Sequence, residues 1–148
     1  IIACLVGSEM CIRDRELPGI KSTFNALCLQ NNNGADIYIY PGFLVMFNSE
    51  ENFGILELNK IDILFSETNF IESEQRPSDS VLVKYVWEKA NKNGSRDKRF
   101  ADNRQLPVMK YGEITLFKRG AIHEKYMLSN SKKADEFVDN LNKFTLSI

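Results

Sequence analysis

Between residues 35 and 128 the chain repeats one device, short runs dense in β-branched and aromatic residues cut by turn-forming dipeptides; only after residue 130 does its apolar spacing become helical. Such a chain is expected to build a sheet-rich domain with a single packing helix. Residues 35–40 (ADIYIY) and 43–48 (FLVMFN) flank Pro41-Gly42 and predict a hairpin. A polar turn at 49–52 precedes residues 53–58, and 61–65 with 69–72 extend the sheet as two further pieces; residues 73–80, with Pro77, predict a loop. Residues 81–89 (VLVKYVWEK) alternate most clearly, with Val81, Val83, Tyr85 and Trp87 on one face, so that aromatic face is expected in the core. Residues 108–117 and 122–128 predict strands around a Lys118-Arg119-Gly120 turn. Residues 20–28 fit helix and strand equally. In the last segment Ser131 is the expected N-cap, and Ala134, Phe137, Val138, Leu141 and Phe144 form one apolar stripe.

Length and charge narrow the class. A chain of 148 residues with 43% hydrophobic content is one domain, large enough to bury roughly two thirds of its unfolded surface without metals or disulfides. No apolar run approaches the ~18 residues of a membrane-spanning helix. The formal net charge of −1 argues against a generic polyanion binder, yet it conceals a division. Residues 16–80 hold 3 basic and 10 acidic residues, a net of −7, whereas residues 81–148 hold 14 basic and 8 acidic, a net of +6.

Residues 4–15 (CLVGSEMCIRDR) resemble the translation of a sequencing adapter. Residues 1–15 are therefore set aside as a non-native or disordered segment, and 16–148 are taken as a single domain, a fragment of a larger microbial protein. Cys4 and Cys11 fall in the excluded segment. Cys28, alone in the apolar run ALCL, makes no intramolecular disulfide or zinc site; it is expected in the core of a cytoplasmic protein.

Six or seven antiparallel strands followed by one amphipathic helix, with phrases such as IYIYPGFLVMFN and FGILELNKIDILF, resemble a pleckstrin-homology-like domain over most of residues 36–144. The resemblance implies a mainly β fold, a bent antiparallel β-sandwich or barrel closed at one end by its C-terminal helix. It also implies a non-enzymatic module that binds a protein or peptide along a sheet edge or the helix groove. Many relatives bind phosphoinositides through a Lys-x-Arg pair beside the first strands, but the early turns here, residues 31–34 and Pro41-Gly42, contain no cation. An anionic membrane surface would instead meet the basic half.

The most unusual segment is residues 91–104 (NKNGSRDKRFADNR), where Lys92, Arg96, Lys98, Arg99 and Arg104 surround Phe100 and the Asn93-Gly94 turn. Arginine forks, free amides and an aromatic ring suit a phosphate or a single-stranded nucleic acid. The competing expectation is that Asp97 and Asp102 pair with Arg99 and Arg104 while Phe100 anchors the loop to the core. Lys118, Arg119, Lys132 and Lys133 are secondary candidates that would enlarge the basic surface. His123 beside Glu124 lacks the second histidine of a zinc motif and is expected to be an ordinary strand residue. Asp62, Glu72, Glu88 and Lys89 are the residue types of metal-dependent phosphodiester cleavage, but their spacing fits no template. No metal or cofactor is expected.

Overall fold

A computed structural model describes residues 2–3, 12–17, 19–31 and 34–147, with side chains from residue 16 onward within that set. Cys4, Cys11, Asn32 and Asn33 lie outside the described residues. The fold is mainly β, with two sheets and one C-terminal helix.

The first sheet is an antiparallel meander of β2 (Ile12–Arg15), β3 (Ala26–Leu29), β4 (Asp36–Tyr40), β5 (Phe43–Ser49) and β6 (Asn52–Glu57). Tyr40 pairs with Phe43, so Pro41 and Gly42 alone make the connection. Proline supplies the fixed φ of the first turn position, and Gly42, at φ +88°, supplies the left-handed second one. The expected hairpin is thus present. Residues 20–28, which fitted either period, resolve into a strand only from Ala26.

A 3-10 turn, Leu58–Lys60, carries the chain into the second sheet. There β9 (Gln105–Lys118) is the spine. One edge of it pairs with β7 (Asp62–Ile71), and the other is shared by β8 (Val81–Trp87) on residues 105–110 and β10 (Ile122–Leu128) on residues 112–118. β1 (Ile2–Ala3) lies parallel to β10. The two pieces expected at 61–65 and 69–72 are one strand, because Ser66, Glu67 and Thr68 keep register with Glu113, Gly112 and Tyr111. Among the described residues neither sheet closes on itself.

The face expected from residues 81–87 is corrected. Leu82 opposes Met109 and Lys84 opposes Val108, so Val83 is an extra residue in a β-bulge. A bulge shifts the alternation by one position. Val81 therefore lies on the opposite face from Tyr85 and Trp87, and Val81, Val83 and Tyr85 are all exposed.

The main core lies between the sheets and under the helix, with Leu29, Ile37 and Leu44 from the first sheet meeting Ile63, Ile114 and Leu116 from the second. α1 (Ser131–Leu146) covers it with Ala134, Val138 and Leu141. The cap is Asn130, whose side chain accepts from the Lys133 amide at 3.0 Å, one residue before the expected Ser131. Ser131 instead reaches Glu67 at 3.2 Å. The start of α1 sits over Gly112, where any β-carbon would lie 2.5 Å from the Ala134 β-carbon.

Two smaller clusters occupy other parts of the sheets. Leu17 and Ile20 pack on Ala26, Cys28, Tyr38 and Val45, which places Cys28 in a buried apolar setting as expected. Met109, Tyr111 and Met127 pack with Phe70 and Leu82. Close to this last cluster, Tyr111 donates its hydroxyl to the buried Glu72 at 2.7 Å.

Candidate functional site

The loop after β8 is built by its own polar residues. The Asn103 carboxamide accepts from the Lys89 amide at 2.9 Å and donates to the Lys89 carbonyl at 2.7 Å, clamping the base of the loop as a strand partner would. Its tip closes through Gly94 N–H to the Asn91 carbonyl and Ser95 N–H to Asn93 Oδ1, which occupies the amides that an anion would need.

The five loop cations are not equivalent. Arg99 binds Asp97 with both Nε (3.0 Å) and Nη2 (2.6 Å), and its own amide donates to the same carboxylate. These bonds from Arg99 hold the Asp97 carboxyl below its ordinary range, its side-chain hydrogen bond having the larger effect and its backbone N–H the next. Arg96 donates to the Ala101 carbonyl at 3.2 Å and lays its guanidinium 5.5 Å above the Trp87 ring. Arg104 pairs with Glu88 at 3.1 Å rather than with Asp102, and also reaches the Ser73 carbonyl. Phe100 does not anchor the loop in the core; it is exposed, with the Lys89 ammonium 5.4 Å over its ring. Among the described residues, no hydrogen bond or ion pair ties Lys92 or Lys98, and Arg99 is 82% exposed despite its pair.

The secondary candidates do not join this surface. Lys118 ends β9 and Arg119 follows it; Lys118 is thirteen residues beyond Gln105, which is up to about 44 Å at ~3.4 Å per residue. Lys132 and Lys133 lie in the first turn of α1, whose start stands over Gly112 in the middle of that strand. His123 is exposed and meets Phe117 edge to face at 5.3 Å, while Glu124 accepts from Asn31. Asp62 begins β7 and Glu72 follows its other end, and Glu88 is held by Arg104. No group of three or more metal-ligating side chains exists among the described residues.

Asp97 is a sensitive point of this loop. Because its folded pKa lies below the unfolded value of 3.8, the stability it contributes is complete above pH 3.8 and disappears as pH falls through the folded value. Trp87 is the sole tryptophan and lies under Arg96, so its emission reports on the loop. The expected result is an emission change centred below pH 3.8 that Asp97→Asn removes. An unaltered titration in that variant would assign the transition to another group.

A second feature lies between α1 and the first sheet. Phe24, Leu27, Ile39, Tyr40 and Pro41 form one wall of an apolar groove of about 370 Å³, and Phe137, Leu141 and Phe144 form the other. Among the described residues, Asn25 and Asn140 bring carboxamides to its lining and Tyr40 a phenol. The groove arises because the helix stripe is wider than the core: Ala134, Val138 and Leu141 bury, whereas Phe144 on its flank stays 39% exposed. Phe24, exposed on the approach to β3, faces it across the opening. The extra aromatics on the stripe were readable in the sequence, but their lack of cover was not.

These features define a mainly β domain of two sheets with a C-terminal helix, and no helix among the described residues is long and apolar enough to cross a membrane. No family model, no curated protein and no solved structure matches the chain.

Proposed function

We propose that this chain is a non-enzymatic interaction module on a pleckstrin-homology-like scaffold, and that it binds an apolar segment of a partner protein in the groove between α1 and the β3–β4 wall. The observation that carries this reading is the lining of the groove. Its size lies within the range of about 300–1,000 Å³ typical of ligand sites, and aromatic and aliphatic side chains approach it from both walls. Large apolar side chains from a peptide would release water from those surfaces, and Asn25 and Asn140 at its margin would serve as hydrogen-bonding partners for the peptide backbone. The loop arginines support the same reading, since each already has a partner within the chain: Arg96 the Ala101 carbonyl, Arg99 the Asp97 carboxylate and Arg104 the Glu88 carboxylate. A cytoplasmic setting and membership of a larger protein belong to this proposal as well.

The test is selection from a peptide display library, followed by mapping of the bound peptide through backbone chemical shifts. Binders should be rich in large apolar residues and should shift Leu27, Phe137 and Leu141. Placing a charge at the opening with Asn140→Arg should weaken them by more than about tenfold, a loss of roughly 1.4 kcal/mol. The triple replacement of Arg96, Arg99 and Arg104 by alanine should leave affinity unchanged, as should added salt. The alternative is a phosphate, nucleic acid or anionic membrane bound through residues 91–104. Steep weakening with salt, shifts confined to that loop and retention on anionic liposomes would establish it in place of the groove reading.

A further inference from the structure

Among the described residues one buried side-chain oxygen is left without a hydrogen bond, the hydroxyl of the fully buried Tyr126. Such a group costs free energy unless something meets it. Tyr126 stands on the inner face of β10, and Glu124, two residues earlier, shares that face. Burial is the main cause that raises the Tyr126 pKa, followed by the charges of Glu124 and then Asp36, so both carboxylates are felt at the phenol.

The two carboxylates come from different sheets, and one neutral residue joins them. Asp36 opens β4 in the first sheet, and Glu124 belongs to the second. The Asn31 amide donates to Asp36 Oδ1 at 2.8 Å, and its carboxamide donates to Glu124 Oε2 at 3.4 Å, the long end of a hydrogen bond. Asp36 Oδ2 and Glu124 Oε1 have no partner among the described residues. Nor does either carboxylate enter an ion pair there. The basic neighbours of Glu124 lie on the other face of β10, Lys125 bound to Glu113 at 2.8 Å and His123 against Phe117. Residues 30–36 (QNNNGAD) contain no cation. Asn31, Asp36 and Glu124 are half-buried, so the carboxylates reach solvent while the phenol lies deeper.

The oxygens present select the ligand. Three side chains offer acceptors here, two of them charged, whereas calcium takes about six to eight oxygen ligands. A primary ammonium group carries three donors, no acceptor and a compact positive charge. We propose that Asp36, Glu124 and Tyr126 form a binding site for a primary ammonium group, whose N–H groups take the place of the Asn31 carboxamide on Glu124 and reach Asp36 and the phenol oxygen. The site is separate from the groove, since none of these residues lines it.

Amide NMR on the full chain, titrated with n-butylammonium, provides the test. The expected result is a set of saturable shifts at Asn31, Asp36, Glu124 and Tyr126. Asp36→Asn and Glu124→Gln keep an acceptor for Asn31 but lose the charge, and each should weaken binding by about tenfold or more. Tyr126→Phe should weaken it by about fivefold and still fold, because its hydroxyl has no protein partner to lose. Tetramethylammonium, which has the charge without N–H donors, should give no saturable shift. N-acetyl-lysine amide should reproduce the shifts where the natural ligand is a lysine side chain, and shifts with butylammonium alone assign a free amine. Absence of saturable shifts at these four residues overturns the inference, as do shifts confined to Phe137 and Leu141 in the groove. An equal response to tetramethylammonium or calcium also overturns it, and so does unchanged affinity in Tyr126→Phe.

Discussion

Gly112→Ala is expected to lower the stability of the domain by about 3 kcal/mol, the upper end of what overpacking costs. The added β-carbon would stand 2.5 Å from the Ala134 β-carbon, 3.1 Å from Phe65 Cε2 and 3.1 Å from the Ser131 α-carbon. One of those neighbours is helix backbone and another is fixed to it, so the clash is relieved only by lifting the start of α1 from the spine strand. In a domain of this length that loss corresponds to a fall in Tm of roughly 6–12 °C. Gly54→Ala is the internal control. Its new β-carbon meets only the end of the Met46 side chain, at 3.1 Å, and a flexible thioether moves aside. Urea melts should place Gly54→Ala within about 0.5 kcal/mol of the parent. Adding Ala134→Gly to Gly112→Ala should restore part of the loss even though glycine itself costs a helix about 1 kcal/mol, giving a coupling energy opposite in sign to the clash. Parent-like stability in Gly112→Ala would mean that the helix does not seat on β9 where the structure places it.

What the chain revealed in advance was local. The hairpin of β4 and β5 was legible because Pro41-Gly42 demands one backbone geometry and both flanks are strongly β-forming. The helix was legible because its stripe holds a constant period, and its start was misplaced by one residue because Asn130 and Ser131 are both good caps. The failures were relational. Val81, Val83, Tyr85 and Trp87 alternate perfectly in the sequence, but the bulge at Val83 exists only because of how β8 registers against β9. β7 looked interrupted because Ser66, Glu67 and Thr68 are polar; a partner strand of fourteen residues holds them in the ladder regardless.

The candidate site divides in the same way. The loop at residues 91–104 was recognisable from composition, and the Asp97–Arg99 pair was among its expected contacts. The partner of Arg104 proved to be Glu88, sixteen residues away across the base of the loop, which no local spacing reveals. The groove is less legible still. Its walls come from residues 24–41 and 137–144, segments that only the completed fold brings together.

Replacing tyrosine by phenylalanine is expected to have opposite effects at two buried positions. Tyr111 donates to Glu72 Oε2 at 2.7 Å, and the carboxylate is itself almost wholly buried. Tyr111→Phe removes the hydroxyl donor and leaves that charge short of a partner, at a cost of about 2–3 kcal/mol. Tyr126 is fully buried in the main core, and its hydroxyl has no hydrogen-bond partner among the described residues. Tyr126→Phe discards a polar group already stripped of water and should stabilise by about 1 kcal/mol. The two variants nevertheless agree at alkaline pH. Burial pushes both phenols above the ordinary value of 10.0, helped at Tyr111 by the hydrogen bond to Glu72 and at Tyr126 by the charge of Glu124. Above pH 10 the unfolded chain releases these protons while the folded chain keeps them. Their contribution is therefore full below pH 10 and is lost as pH rises, by about 1.4 kcal/mol per pH unit for each tyrosine until its folded value is reached. Urea melts between pH 9 and 12 should show each variant with a shallower alkaline decline than the parent, Tyr126→Phe starting above it at pH 8 and Tyr111→Phe below. A Tyr111→Phe protein as stable as the parent at pH 8 would show that Glu72 does not need its phenol. A destabilised Tyr126→Phe protein would show that this hydroxyl makes a contact of real value in solution.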